Sequence, residues 1–232
     1  MSLPRTNAKM GVRKNSNLKV RNPQPGRSFT LIELVVVISV IAILMALLFP
    51  AFRGVQDQAK KTQAKNDLTQ IVTAVSAFYT EYGKYPLVTD DTTITGTSTP
   101  TNSDLFYTLR GLPNGANAGN AANPRAIVFI SPPDVKNDTA GNRRSGVSPT
   151  DGQYYDPWGT PYLVKIDGTY DNQLANPYTL NAGGTTIDGA TLLQGIGVIA
   201  WSFGGDGQSQ SVPGPAADRN AGLNADDVIS WQ

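Results

Sequence analysis

Gly26-Arg-Ser-Phe-Thr-Leu-Ile-Glu33-Leu-Val-Val-Val-Ile-Ser-Val-Ile-Ala-Ile-Leu-Met-Ala-Leu-Leu-Phe-Pro50 is the stretch on which the reading of this chain turns. From Leu34 to Phe49 only Ser39 interrupts sixteen apolar residues. As a helix this run covers about 24 Å, and about 30 Å with its immediate flanks, close to the hydrocarbon thickness of a bilayer. A single carboxylate, Glu33, sits just inside its leading edge. An unpaired carboxylate at that depth is unfavourable by several kcal/mol (order of magnitude), so Glu33 needs a partner. The plain alternatives are a signal anchor for residues 31–49 and a Glu33 that snorkels to the interface.

Working outward, residues 1–28 carry Arg5, Lys9, Arg13, Lys14, Lys19, Arg21 and Arg27 and no acid. They are polar, rich in Asn and Pro and without apolar periodicity, which predicts a disordered leader. Positive charge ahead of an apolar span holds that end in the cytoplasm. The remaining chain has 12 Lys and Arg against 18 Asp and Glu, a formal charge of −6. That balance argues against nucleic-acid binding by the folded part. Neither Cys nor His occurs, which excludes disulfides, thiolate metal sites and His-based catalytic triads. An enzyme is not expected.

Beyond Pro50, residues 55–67 are polar helix formers, and apolar positions then recur at Leu68, Ile71, Val72, Val75, Phe78, Tyr79 and Tyr82. Steps of three and four mark one face of an amphipathic helix, which Gly83 and Lys84-Tyr85-Pro86 stop. One helix from Phe29 to Tyr82 is predicted, with a kink or melted turn at 46–54 caused by Pro50 and Gly54. The alternative is two helices separated at Pro50. Residues 87–101 read as an exposed loop, and 102–110 as a short helix capped by Asn102 or Ser103 with Leu105, Phe106 and Leu109 on one face. Residues 113–124 read as loop. Segments 126–130, 160–166, 177–180, 195–203 and 228–231 are strand candidates, short and closely spaced, which favours an antiparallel sheet. Tyr154, Tyr155, Trp158 and Tyr162 are read as core aromatics.

The sequence Ser28-Phe-Thr-Leu-Ile-Glu33-Leu-Val-Val-Val-Ile resembles the leader junction of type IV pilins and pseudopilins. The resemblance implies cleavage by a prepilin peptidase before Phe29, methylation of the new amine, and Glu33 as the fifth mature residue. Pro50 then falls at the twenty-second mature position, where many members also carry Pro. The family normally has Gly before the cut; here Ser28 stands there and Gly26 lies two residues earlier. Cleavage after Gly26 would make Glu33 the seventh residue, so the Ser28–Phe29 bond is favoured. The resemblance also implies that Glu33 pairs with the Phe29 amine of its own or a neighbouring subunit, which sets register.

Tyr155-Asp-Pro-Trp-Gly-Thr-Pro-Tyr162, and Trp201-Ser-Phe-Gly-Gly-Asp-Gly207 with Asp226-Asp-Val-Ile-Ser-Trp231, are similar to segments of the major pseudopilin of type II secretion systems. That similarity implies one Ca²⁺ held by Asp206, Asp226, Asp227 and Ser202, chemistry that suits a cation wanting six to eight oxygens. An enlarged loop, 208–224, departs from the pattern and adds Asp218. The alternative is a set of solvated turn aspartates.

The expected architecture is therefore α+β: a basic leader (1–28) that is cleaved, a membrane and filament-core helix (29–52), an amphipathic helix (53–83) and an antiparallel-sheet domain (84–232). The implied role is a subunit of a type II secretion pseudopilus, a homo-oligomeric helical filament. Its implied partners are the prepilin peptidase, an inner-membrane assembly platform and minor pseudopilins. It would cross the inner membrane once, with the N-terminus cytoplasmic. A surface type IV pilus subunit is the alternative. A membrane-anchored binding or hydrolytic domain is disfavoured by the missing His and Cys.

Overall fold

The computed structural model describes residues 29–178, 192–208 and 222–231. The chain divides into two compact units, Met1–Phe49 and Pro50–Gln232. A helix, α1, is assigned over Leu31–Tyr82. Residues 46–54 are helical throughout, so neither the melted turn nor the two-helix alternative is found. In the first unit, Leu31–Leu48 is the one helix among the described residues long and apolar enough to cross a membrane, and none of it is buried. The hydroxyl of Ser39, the only polar break in its apolar run, donates to the Val36 carbonyl at 2.7 Å and so is satisfied within the helix.

In the second unit, Ala64, Leu68, Ile71, Ala74, Val75 and Phe78 form the buried face of α1. Val72 and Tyr82 pack at its margin. Tyr79, placed on this face by its spacing, is instead 40 % exposed. The opposite face carries Thr69, Thr73, Ser76 and Thr80, whose hydroxyls donate to the carbonyls four residues back. The helix ends at Gly83, whose N–H donates to the Tyr79 carbonyl at 2.8 Å.

The sheet packed on this face has order β1-β4-β7-β8, antiparallel throughout: β1 Thr92–Ile94, β4 Leu163–Ile166, β7 Val198–Ser202 and β8 Val228–Ile229. Residues 87–101 thus contain an edge strand and are not simply loop. Three residues between turn signals leave too little alternation to read. The helix α2 spans Asn102–Leu109 and buries Leu105, Phe106 and Leu109. Two hairpins complete the unit, β2 Gly146–Val147 with β3 Tyr154–Tyr155, and β5 Gln173–Ala175 with β6 Leu192–Gln194.

Along β7 the side chains alternate. Val198 and Ala200 face the helices, whereas Ile199 and Trp201 join Leu163, Leu174, Tyr178 and Ile229 in a second cluster. The strand is buried on both faces, which is why it reads as an unbroken apolar run.

Four further expectations change. The cap of α2 is Thr101, which forms a capping box with Asp104. Asn102 is buried instead: its amide donates to the Tyr162 carbonyl at 2.6 Å and accepts from the Tyr154 N–H at 2.8 Å. Residues 126–130 are not a strand, because the N–H groups of Phe129 and Ile130 turn to the Leu109 carbonyl. The Ile127 N–H goes to the Asn123 side chain. Within 113–124 a 3₁₀ turn occupies Gly115–Asn120. Of the 177–180 candidate, 177–178 are not strand and 179–180 lie outside the described residues. Tyr154 and Tyr162 are buried core rings, 4.9 Å apart and edge-on, as expected.

Candidate assembly terminus and aspartate loop

At the start of α1, Thr30 and Glu33 close on each other. The Thr30 N–H and its hydroxyl both donate to Glu33 Oε2 at 2.8 Å, and the Glu33 N–H returns to the Thr30 hydroxyl oxygen at 3.2 Å. This is a capping box, a Thr with Glu three residues on. The Thr-x-x-Glu pattern ahead of an apolar run was readable in the sequence, yet the cost of Glu33 drew the reading toward a charged partner alone. Phe29 lies beside it, 80 % exposed. Gly26 and Ser28 lie outside the described residues, and of the Pro50 side chain nothing is described.

Residues 26–49 match the family described as "Prokaryotic N-terminal methylation motif". The chain is type IV pilin-like. Over 64 residues it is 41 % identical to "Type IV major pilin protein PilA" of Myxococcus xanthus, covering 28 % of this chain and 29 % of that protein. Over 66 residues it is 41 % identical to "Type II secretion system core protein G" of Pseudomonas aeruginosa, covering 28 % of this chain and 45 % of that protein. The matches therefore span less than half of either relative. No solved structure gives a significant match. The single apolar helix and the methylation motif fit a membrane-anchored pilin-like protein.

In this pilin-like chain the aspartate loop is built around Asp156, which is fully buried. One carboxylate oxygen accepts the N–H groups of Trp158, Gly159 and Thr160 at 2.9, 2.7 and 2.9 Å. The other accepts the Ser202 hydroxyl, which in turn takes the Gly204 N–H. Burial still outweighs these donors and raises the carboxyl above its ordinary range. Sequence reasoning had marked the segment by resemblance but had given Asp156 no role.

The four expected calcium ligands are not gathered. Ser202 serves Asp156. Asp227 accepts the Tyr178 hydroxyl at 2.6 Å. Asp206 is exposed and accepts the Gln208 N–H of its own turn. Asp226 Oδ2 accepts the Gly205 and Asp206 N–H groups. Among the described residues no group of three or more carboxylates could hold a metal ion. Asp218 lies outside them. Gly204 permits the arrangement: its φ is +65°, and a Cβ there would lie 2.4 Å from the Asp226 carbonyl oxygen. The described residues do not fit a calcium set. The expected result of calorimetry on the detergent-solubilised full chain is therefore no tight calcium binding. A saturable heat with a rise in melting temperature would restore the site.

A second buried carboxylate ties α1 to the sheet. Asp67 is 8 % exposed and accepts the Tyr162 hydroxyl at 2.8 Å. Burial raises its pKa above the ordinary 3.8, against the hydrogen bonds from Tyr162 and Tyr154, and the Asp156 charge adds to the rise. A carboxyl with a raised native pKa contributes stability that is fully present below its unfolded value and is lost as pH rises through the native one. Asp67→Asn keeps the acceptor for Tyr162 without the charge. The variant should match the wild type in acid and gain on it as pH rises toward neutral. Melting curves between about pH 3 and pH 7 check this.

Proposed function

We propose that this protein is a subunit of a type II secretion pseudopilus, cut between Ser28 and Phe29 by a prepilin peptidase and methylated at the Phe29 amine. The observation that carries the filament reading is Leu31–Leu48, eighteen residues that are apolar but for Glu33 and Ser39, with none buried in the single chain. They begin at a carboxylate held by its own cap. Such a surface must be covered, by lipid before assembly and by other copies after it. Contacts between unlike patches that do not close then generate a helical filament. The basic leader keeps the N-terminus cytoplasmic, so the globular unit lies beyond the inner membrane, where an assembly platform and minor pseudopilins would meet it.

The pseudopilus is favoured over a surface pilus by the turn built on Asp156 and Ser202, which lies in the two segments similar to the major pseudopilin. The similarity to a major pilin over 64 residues keeps the surface pilus as the second reading. Deletion of the gene separates the two. Loss of exoprotein secretion with normal surface piliation supports the pseudopilus, whereas loss of pili or motility with normal secretion overturns it. Intact mass of the membrane-extracted protein tests the processing. A species beginning at Phe29 with one added methyl group is expected, and one beginning at Arg27 would place the cut after Gly26.

A further inference from the structure

The globular unit has an aromatic, acidic corner at the C-terminal end of α1. Tyr79, Tyr85 and Tyr170 form a triangle with ring centroids 4.7, 5.5 and 6.1 Å apart, the Tyr85 ring stacked on the other two. Tyr79 and Tyr170 are 40 % and 44 % exposed. The corner is held in place rather than draped. Tyr170 sits at φ +62°, in the left-handed region that a bulky residue rarely enters. It stays there because the Asp167 carboxylate accepts its N–H at 2.6 Å and that of Asn172 at 2.8 Å. The Tyr170 hydroxyl accepts the Tyr85 N–H at 3.1 Å.

Three carboxylates flank this corner along the chain, Asp90 and Asp91 just ahead of β1 and Asp171 next to Tyr170. Thr169 donates to Asp91 at 3.1 Å, and Gly168 lies against the Asp90 backbone. Asp90, Asp91 and Asp171 are all exposed. None of the three forms a salt bridge among the described residues. Two cations are close by: Lys84, exposed and next to Tyr85, and Lys165 of β4, half-buried, which donates to the Ala175 carbonyl at 3.1 Å. Exposed aromatic faces flanked by carboxylates suit an ammonium group, which gains from both the ring quadrupole and the negative charge.

The opposite end of the same helical face is basic. Lys60 and Lys61 are half-buried, with no salt-bridge partner among the described residues. Lys61 lines a groove of about 410 Å³ between α1 and β8, next to Lys65, which donates to the Ile229 carbonyl at 2.7 Å. Asp57 is the acid one turn earlier, and Asp227 lines the same groove. Lys61 and Tyr82 are 21 positions apart on α1, which is about 32 Å along its axis. The unit thus presents complementary chemistry at its two ends, and one surface cannot reach the other within a single chain.

We propose that these ends meet between copies: the tyrosine–aspartate corner of one subunit receives Lys60 and Lys61 of the next. This is a heterologous, head-to-tail contact, the kind that propagates instead of closing. It rests on the filament reading above and extends it, since the apolar helices supply adhesion without direction whereas this contact fixes axial polarity and spacing. Because the groups remain partly solvated, the contact weakens as salt shortens the screening length.

The test uses the full-length protein in its own cell. Filaments sheared from cells that overexpress the chain and are shifted from isotopically light to heavy medium during growth, so that each membrane pool holds both forms, are treated with a zero-length carbodiimide cross-linker and read by mass spectrometry. Mixed-isotope links from Lys60 or Lys61 to Asp90, Asp91 or Asp171 are expected; links from these lysines only to other positions would overturn the contact. In parallel, the Lys60→Glu, Lys61→Glu double variant should cut recovered filaments by about tenfold. Adding Asp90→Lys and Asp91→Lys in the same chain should restore them to within about threefold. The melting temperature of each variant subunit is measured alongside, because Lys60 and Lys61 are half-buried and Asp91 accepts the Thr169 hydroxyl; filament loss at an unchanged melting temperature is the expected result. Undiminished filaments from the lysine double variant would overturn the contact. So would failure of the fourfold variant to rescue, since the lysines would then serve another partner. Absence of filaments from the unmodified chain would overturn the filament reading itself, and the stacking with it.

Discussion

Asp156→Ala is expected to destabilise the globular unit by about 3–5 kcal/mol, a large share of the total for a domain of this size. The carboxylate is fully buried and accepts four donors, the N–H groups of Trp158, Gly159 and Thr160 and the Ser202 hydroxyl. Alanine removes the acceptor from all four; the Ser202 hydroxyl is buried and the three N–H groups are part-buried, so each donor left without a partner carries a desolvation penalty. The damage extends to the C-terminal strands, because Ser202 ends β7 opposite Val228 of β8. Asp156→Asn keeps an acceptor for the three N–H groups and should lie between the two. Thermal unfolding followed by circular dichroism checks the series. An alanine variant melting within about 4 °C of wild type would show that the turn does not depend on this carboxylate.

Glu33→Ala is expected to reduce recovered filaments by tenfold or more, a factor of ten in assembly corresponding to about 1.4 kcal/mol, while the melting of the globular unit is unchanged. Two roles could produce the loss, and Glu33→Gln separates them. Gln retains the third position of the capping box with Thr30 but has no charge. If the carboxylate pairs with the Phe29 amine of a neighbouring copy, Gln fails as Ala does. If the cap alone matters, Gln assembles normally and Thr30→Ala is as damaging as Glu33→Ala. In the single chain the carboxylate is satisfied by Thr30. Both bonds fall on Oε2, so the cap holds the carboxylate in place while its second oxygen can meet a neighbour's amine, which puts Thr30 beside Glu33 as a determinant of assembly.

Much of the layout was legible because it is written in composition and local periodicity. Leu34–Phe49 is too apolar for anything but a helix in lipid or in a protein core, and Glu33 within it demanded an explanation. The steps from Leu68 to Phe78 marked a buried helical face that the structure matches residue for residue, with Ala64, Asp67 and Ala74 added. Tyr79 broke the pattern because its ring turns toward Tyr85 and Tyr170 at the rim. Strands fared less well. β1, β2 and β3 are two or three residues long, and a period of two cannot declare itself over so few positions. The 126–130 segment has strand composition, yet its N–H groups reach the Leu109 carbonyl and the Asn123 amide before any strand can pair with it.

The sequence by itself determined the class of the protein: a basic leader, an apolar helix opening on a methylation motif, an amphipathic continuation and a small antiparallel sheet. Those features follow from which residues neighbour each other along the chain, where helical period and hydrophobicity act. Tertiary structure decided the use of the polar groups. It buried Asp156 and Asp67, and it gave Ser202 to Asp156 and Asp227 to Tyr178. It turned Asp226 onto the backbone of residues 205 and 206 and brought Tyr170 against Tyr79 and Tyr85. Each of these pairings joins positions separated by tens of residues. The Thr30–Glu33 cap and the turn of residues 158–160 onto Asp156 are local; the distant partners of these carboxylates depend on which donors folding places around them, and no local pattern encodes those.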